Sequence, residues 1–311
     1  MPLPRYGLVL LVPVCALLVA AAPTTASSGG LKVLVTGNCA QSDLATAMQG
    51  KPGIASATAF DVGTGNPTAA QFAAADIVVD TGDFCGPGYV DATTYGNRLA
   101  NYLDHGGVVL QVAYDNWITA PSYPKGRFES GGYAPLDLGP NDNQPTTLGQ
   151  VFKPKSPLVK GLGTFPTTYN TTNALASGAT LLANWADGRH AIAVKGRVVA
   201  TSAAADDDSD VQQLIRLTVN TGRYFNAVPT TRITKATIAA STATFRFKAV
   251  GVSTGFQCEL KKAGAKAKFK SCPSHKTYSN LKPGRYTFAV EAVGPGGADP
   301  TPAKKSFTIA G

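Results

Sequence analysis

The chain has 311 residues, 44% of them hydrophobic and only 15% charged, with 33 Gly, 21 Pro, five Cys and a net charge of +9. At roughly 150 residues per domain this length predicts two domains. The apolar fraction excludes a disordered chain, and the absence of a glycine period or sustained heptads excludes collagen and coiled coil.

Arg5 precedes the run GLVLLVPVCALLVAAA, which is followed by PTTASSGG. A positive start, an apolar stretch and a small-residue end predict a secretory signal over residues 1–26, cleaved after Ala22 or Ala26. Pro13 interrupts the run, which is shorter than the roughly 20 apolar residues that span a bilayer. Cys15 lies inside the run and leaves with it. No later stretch has spanning length, so the mature chain is expected to carry no transmembrane segment and to work outside the cytoplasm, secreted or at the cell envelope. Four cysteines remain there, and an even number in an oxidising compartment favours disulfides over metal. Cys258 and Cys272 lie 14 residues apart in one region, Cys39 and Cys85 in another. Of the three possible connectivities, one bridge per domain is the economical choice. No CxxC spacing supports zinc, and no metal or cofactor is expected.

From Leu31 to Phe225 short apolar runs alternate with helical stretches. LKVLVTG reads as a buried strand, QSDLATAMQG as a helix from near Ser42, SATAFDVG as a strand, TAAQFAAA as a short helix and DIVVDTG as a third strand. DATTYGNRLANYLDHGG spaces Tyr95, Leu99, Tyr102 and Leu103 helically and stops at Gly106 and Gly107; VVLQVAY is the fourth strand. This alternation predicts an α/β domain over residues 27–225, with a parallel sheet covered on both faces and ligands outside the carboxyl ends of the strands. Asp115 to Leu148 is a long segment rich in Gly, Pro, Asn and aromatics, of the kind that usually carries function. ATLLANW, RHAIAVK and RVVATSA follow as strands with tight turns, and a helix from near Ser209 to Tyr224 closes the domain.

Residues 226–230 read as a linker. Beyond it, TRITKATI, TATFRFKAV, FQCEL, KAKFKSC, RYTFAVEAV and AKKSFTI alternate between faces and are separated by turn residues, which predicts an all-β sandwich over residues 231–311. A core of that size is limited, and a bridge from Cys258 to Cys272 is expected to add about 3 kcal/mol. The charge is divided between the two parts. From Asn226 onward 14 basic residues face 3 acidic ones, a net +11, whereas residues 27–225 carry 13 basic and 16 acidic, a net −3. A basic exported module does not point to nucleic acid. Lys261, Lys262, Lys266, Lys268 and Lys270 crowd one short region, read either as a solvated edge that discourages strand pairing or as a surface for anionic envelope polymers.

The order KVLVTG, ADIVVDTGD, LANYLDHGGVVLQVAYDN, SPLVKGLGTF and ANWADGRHAIAVKGRVVATSA resembles the class I glutamine amidotransferase-like superfamily, in its non-amidotransferase branch. The resemblance implies a flavodoxin-like α/β fold and places Cys39 and Cys85 after neighbouring strands, where a disulfide suits them. It does not imply glutamine hydrolysis. That chemistry needs a Cys on a sharp strand-to-helix turn and a His base. The turn after the fourth strand reads Ala113, Tyr114, Asp115, and TSAAADDDSD lacks His. FQCEL, KSCPS, KTYSNLKPG and RYTFAVEAVGPGG resemble bacterial immunoglobulin-like or fibronectin-like repeats of secreted proteins, which imply a spacer or adhesive module.

Two carboxylate groups remain. Asp206, Asp207, Asp208 and Asp210 suit either the positive end of the last helix or, less well, calcium, because no EF-hand spacing is present. Asp80, Asp83 and Asp115 fall at or beyond strand ends and, with Trp117, could form a polar and aromatic cleft for sugars; paired carboxylates also suit a glycosidase, and Asp is equally a common turn residue. The expected function is a non-catalytic binder of extracellular polysaccharide or another envelope polymer. The alternatives are a carbohydrate-active hydrolase acting through those carboxylates and a structural module that binds a protein.

Overall fold

The computed structural model describes residues 30–83, 88–118, 123–205 and 208–311, without the side chains of residues 83 and 208–210. The predicted signal over residues 1–26, Cys85, Asp206 and Asp207 lie outside the described residues. LKVLVTGN forms β1 (Leu31–Asn38), and α1 (Ala40–Met48) begins two residues ahead of the sequence expectation. The turn is made at Cys39, which has φ 93° and is disulfide-bonded. β2 (Ile54–Asp61) leads to α2 (Ala69–Ala74), whose short run is fixed by a reciprocal cap between Thr68 and Gln71. β3 (Ile77–Asp83) precedes α3 (Ala92–Asp104), which starts where Asp91 Oδ1 accepts from the Thr94 N–H at 2.9 Å. β4 is only Val109–Gln111. The apolar run VVLQVAY suggests a longer strand, but the chain leaves the sheet through a turn in which Tyr114 has φ 77°.

The long segment after Asp115 is built as well. It holds α4 (Arg127–Ser130) and the start of β5 (Thr146–Val151), and is followed by a 3-10 turn at Pro157–Val159 and β6 (Pro166–Thr167). β7 (Thr180–Trp185), β8 (His190–Lys195) and β9 (Val198–Thr201) follow, then α5 (Asp208–Phe225), which Asp208 opens. The sheet order is β2-β1-β3-β4-β9-β8-β7-β5-β6. The expected parallel sheet is realised in the first five of these strands; the other four run antiparallel. Tight turns join β7, β8 and β9, and such turns can connect only antiparallel neighbours. Alternate residues of the parallel strands divide between two apolar layers. Val33, Val35, Val79 and Leu110 face Leu44, Met48 and Leu214, while Leu34, Val78 and Val109 face Phe72, Tyr95 and Leu99.

The C-terminal strands are β10 (Thr230–Ile238), β11 (Ala243–Val250), β12 (Gly255–Lys262), β13 (Lys270–Cys272), β14 (His275–Tyr278), β15 (Gly284–Gly294), β16 (Gly297–Ala298) and β17 (Ala303–Ile309). They form two antiparallel sheets, β10-β11-β14 and β13-β12-β15-β16 with β17 beside β15, an arrangement consistent with a β-sandwich. Phe245 and Phe288 stack between them at 4.0 Å, with Phe247 alongside. Phe256 pairs with Cys272 and Cys258 with Lys270, so the Cys258–Cys272 disulfide joins β12 and β13 diagonally on one face. Only the last three residues of KAKFKSC enter the sheet.

The linker is docked against both parts. Asn226 Nδ2 donates to Asp76 O at 2.9 Å, and the Gly296 N–H donates to Ala227 O at 3.0 Å. Arg197, in the β8–β9 turn, donates to Gly107 O and Phe225 O, each at 3.0 Å, and to Pro295 O, and lies over the Phe225 ring. Its planar fork satisfies three carbonyls from three segments, so it ties the α/β part to the β15–β16 hairpin.

Candidate functional site

Strand register builds the site from the sheet outward. Thr36 of β1 pairs with Asp80 of β3, Asp80 with Gln111 of β4, and Gln111 with Ala200 of β9. Below this row the same face is Leu34, Val78 and Val109, packed under α2 and α3. At the row itself the apolar pattern gives way to three polar side chains, all fully buried or nearly so. They sit near the carboxyl ends of parallel strands, beside the point where β2 and β3 leave β1 in opposite directions, which is where open α/β sheets place ligands.

Buried polar groups need partners, and this row supplies its own. Tyr95 reaches from α3 to donate to Asp80 Oδ2 at 2.8 Å, and its oxygen is 2.7 Å from Thr36 Oγ1. The Tyr89 hydroxyl lies 2.9 Å from Asp80 Oδ1 and 3.0 Å from Asp115 Oδ1, bridging the two carboxyls. Gln111 Nε2 donates to Asp115 Oδ2 at 2.6 Å. The Gly82 N–H faces Asp80 Oδ1 at 3.4 Å. Gly82 has φ 64°, and a Cβ there would lie 2.4 Å from the Asp115 nitrogen, so only glycine lets the two strand ends approach.

The electrostatics follow from burial. Desolvation raises the Asp80 carboxyl from 3.8 to about 6, against the pull of hydrogen bonds from Tyr95 and Tyr89. Asp115 is pushed well above the carboxylate range by desolvation and then by the Asp80 charge beside it. Burial and the same carboxylates push both phenols upward, so Tyr89 and Tyr95 stay protonated. Two carboxyls meeting at one phenol resist ionising together, and both are held toward their neutral forms.

Gln111 and Asp115 also border a cavity of about 280 Å³, together with Asn116. Leu136, Ala134, Ala176 and Phe128 contribute to its apolar wall, and Tyr123, Glu129, Asp137, Ser177 and Lys195 complete its polar lining. Leu136 packs on Ala193 and Ala200, the small residues that continue the polar row across the sheet. The Asn116 carbonyl is held by the Gly139 N–H and by Asn173 Nδ2, both at 2.9 Å, which pins the backbone at this point. Its side-chain amide is buried, yet neither Oδ1 nor Nδ2 has a hydrogen-bond partner; Gln111 Oε1 is likewise unpartnered. These three atoms belong to residues that border the cavity but are themselves buried, and leaving them unpaired is costly.

The sequence candidates are placed as follows. Asp80 and Asp115 come together through Tyr89, but only Asp115 lines the cavity. Asp83 ends β3, and its side chain lies outside the described residues. Trp117 packs edge-on against Tyr114 at 5.7 Å and does not line the cavity. Tyr114, at positive φ, occupies the turn that follows β4. Lys261, Lys262, Lys266, Lys268 and Lys270 are all exposed along the β12–β13 hairpin. No group of three or more His, Cys, Asp or Glu among the described residues could hold a metal, and no helix among them is long and apolar enough to cross a membrane. Sequence reasoning missed Thr36, Tyr89, Tyr95, Gln111 and Asn116. The available signal was Thr, Asp and Gln interrupting three otherwise apolar strands at one register.

No family model matches the chain, and no curated protein matches it. Among solved structures, its N-terminal part is similar to a cytoplasmic protein from Salmonella typhimurium, with 13% identity over 62% of this chain and 98% of that one and a TM-score of 0.47. It is also similar to a ThuA-like protein from Bacteroides uniformis, with 11% identity over 65% and 94% and a TM-score of 0.46. The C-terminal part is similar to a human fibronectin type III domain, with 17% identity over 27% of this chain and 78% of that one and a TM-score of 0.22. These likenesses concern the path of the chain and say nothing about its chemistry.

Proposed function

We propose that this is an exported carbohydrate-binding protein. The α/β module takes a sugar unit in the cavity at its strand ends, and an immunoglobulin-like basic module holds the protein near anionic envelope polymer. The observation that carries this reading is the cavity itself, whose lining joins the polar residues Asp115, Glu129, Asp137 and Lys195 to an apolar wall. Beside it the Asn116 amide and Gln111 Oε1 are buried and unmet, and a side-chain turn toward the cavity would let one sugar hydroxyl donate to Oδ1, another accept from Nδ2 and a third donate to Gln111 Oε1. The apolar wall of Leu136, Ala134 and Ala176 suits the C–H surface of a sugar ring. A volume near 280 Å³ falls just below the usual range for ligand pockets, roughly 300–1,000 Å³, and favours a single small unit.

The hydrolase reading is weaker. Glycosidases need two carboxyls flanking the scissile bond with room for substrate between them. Asp80 and Asp115 share one phenol and Asp80 does not line the cavity. What favours hydrolysis is that Glu129 and Asp137 share the cavity with Asp115. Titration calorimetry of the mature chain with D-glucose, D-mannose and N-acetyl-D-glucosamine, with Asn116→Ala as control, separates the readings. Binding that Asn116→Ala weakens at least tenfold is the expected result, and no binding by any of the three overturns it. Release of reducing sugar from polysaccharide that Asp115→Asn abolishes would establish the hydrolase instead.

A further inference from the structure

We propose that the outer face of the β10-β11-β14 sheet binds a linear phosphodiester polymer, each of two cross-strand Arg–Lys pairs taking one phosphate. This deepens the reading that the basic module holds anionic polymer, and rests on it. Strand register brings the four cations together. Arg232 of β10 lies opposite Lys248 of β11, and Lys235 of β10 lies opposite Arg246, whose other neighbour is His275 of β14. All four cations are exposed. Between them Ile233, Ala236, Phe245 and Phe247 pack into the core of the module, so the charged side chains stand on the face turned away from it.

Arg232 and Lys235 are three residues apart, and in a regular strand they would point to opposite faces. A bulge removes the difference. Ile233 pairs with Phe247 and Lys235 with Arg246, which leaves Thr234 with no residue opposite it. The extra residue re-aims Lys235 outward and keeps Ala236 against Phe245. A face that only needed solvation would be served by charges of mixed sign, because like charges directly opposite each other destabilise a sheet. Here no acid relieves them. Glu259 and Glu291 belong to the other sheet, and Asp299 is buried, accepting from the Thr231 N–H at 2.6 Å. No ion pair among the described residues includes any of the four.

Each pair is one Arg and one Lys. The Arg fork takes two oxygens in its plane, and the Lys adds a point charge from the facing strand. A tetrahedral phosphate presents oxygens to both, whereas a planar carboxylate fills the fork alone. Lys248 and Arg246 are two residues apart, so the pairs repeat after about 6.8 Å along the strands, an interval suited to phosphates joined by a three-carbon unit. Thr237, Thr244 and Thr277 continue the face with hydroxyls. Among the described residues of this face only Val250, at one end, is apolar, which does not suit insertion into a bilayer. The hairpin lysines differ: Lys261, Lys262 and Lys270 lie opposite Thr287, Tyr286 and Cys258, a spread of charge that attracts any anion.

The test is calorimetry of the mature chain, at one fixed ionic strength, with soluble poly(glycerol phosphate), polygalacturonate, dextran sulfate and phosphatidylglycerol vesicles. Poly(glycerol phosphate) is expected to bind about tenfold more tightly than polygalacturonate. Arg232→Gln, Lys235→Gln, Arg246→Gln and Lys248→Gln together are expected to abolish that preference while polygalacturonate still binds through the hairpin. The urea midpoint of this variant is expected to rise, since like charges no longer face each other; a fall would show that the four cations serve the fold instead. Arg232→Lys with Arg246→Lys keeps the charge and removes the forks, and is expected to lose the preference as well. Equal affinity of the parent for the two polymers, tighter binding of dextran sulfate or vesicles, or a preference that survives in either variant overturns the assignment of this face while leaving the hold on anionic polymer intact. Absence of binding to every polyanion overturns both.

Discussion

Replacing Asp80 by Asn should make the protein more stable at alkaline pH. Asp80 is completely buried, and its carboxyl is raised from 3.8 to about 6. The folded chain therefore keeps a proton that the unfolded chain gives up at lower pH. Stability from this group is complete below about pH 4 and is lost as pH rises through about 6. The displacement corresponds to about 3 kcal/mol for Asp80, and Asp115 acts in the same direction. Asn retains an oxygen to accept from Tyr89 and offers an N–H to the Tyr95 oxygen, which can turn its own hydrogen to Thr36. The variant should gain up to about 3 kcal/mol at pH 8, or about 6–12 °C in Tm for a domain of this size, and nothing at pH 4. Thermal melts by circular dichroism at pH 4, 6 and 8 measure this. A variant less stable than the parent at pH 8 is the contrary result, since the ionised carboxylate would then be favoured by its donors over the uncharged state.

Three further outcomes are expected. Arg197→Ala leaves Gly107 O, Phe225 O and Pro295 O without their donor and should lower stability by about 2–4 kcal/mol, resolving one calorimetric transition into two and exposing residues 226–229 to protease. Replacing Cys258 and Cys272 together by Ala opens a 14-residue separation and should lower the urea midpoint of the C-terminal module by the equivalent of about 3 kcal/mol, leaving the α/β module unaffected. Replacing Lys261, Lys262, Lys266, Lys268 and Lys270 by Gln should remove retention on an anionic polymer column that salt also removes; retention unchanged by high salt would show that the lysines serve only to keep the strand edge solvated.

Much of the architecture was legible because it is written in period and punctuation. The runs LKVLVTG and DIVVDTG gave strands, Asp91 and Gly106 bounded a helix, and the spacing of Phe245 and Phe247 put both on one buried face of β11. β4 is shorter than VVLQVAY suggests because that run stays apolar past the point where the chain leaves the sheet; a buried turn and a buried strand have the same composition. The antiparallel half was implicit in the tight turns at Asp187-Gly188 and Lys195-Gly196, but alternation of strands and helices earlier in the chain suggested a uniform sheet. At the site, Asp80 and Asp115 could be named from their strand ends. Their partners could not, because Tyr89 and Tyr95 approach from a loop and from a helix whose apolar face gives no sign that a hydroxyl points at a carboxyl. Asn116 carries no periodicity or motif that singles it out, and only its place beside the cavity and the burial of its amide without partners do so.

A sugar in the cavity bordered by Gln111, Asp115 and Asn116 is tested by a crystal structure of the mature protein soaked with whichever of the three sugars binds most tightly. Adjacent hydroxyls on Asn116 Oδ1 and Nδ2, with a third on Gln111 Oε1, are the predicted result. Sugar bound on the C-terminal module, with ordered water alone meeting those three atoms, would contradict it.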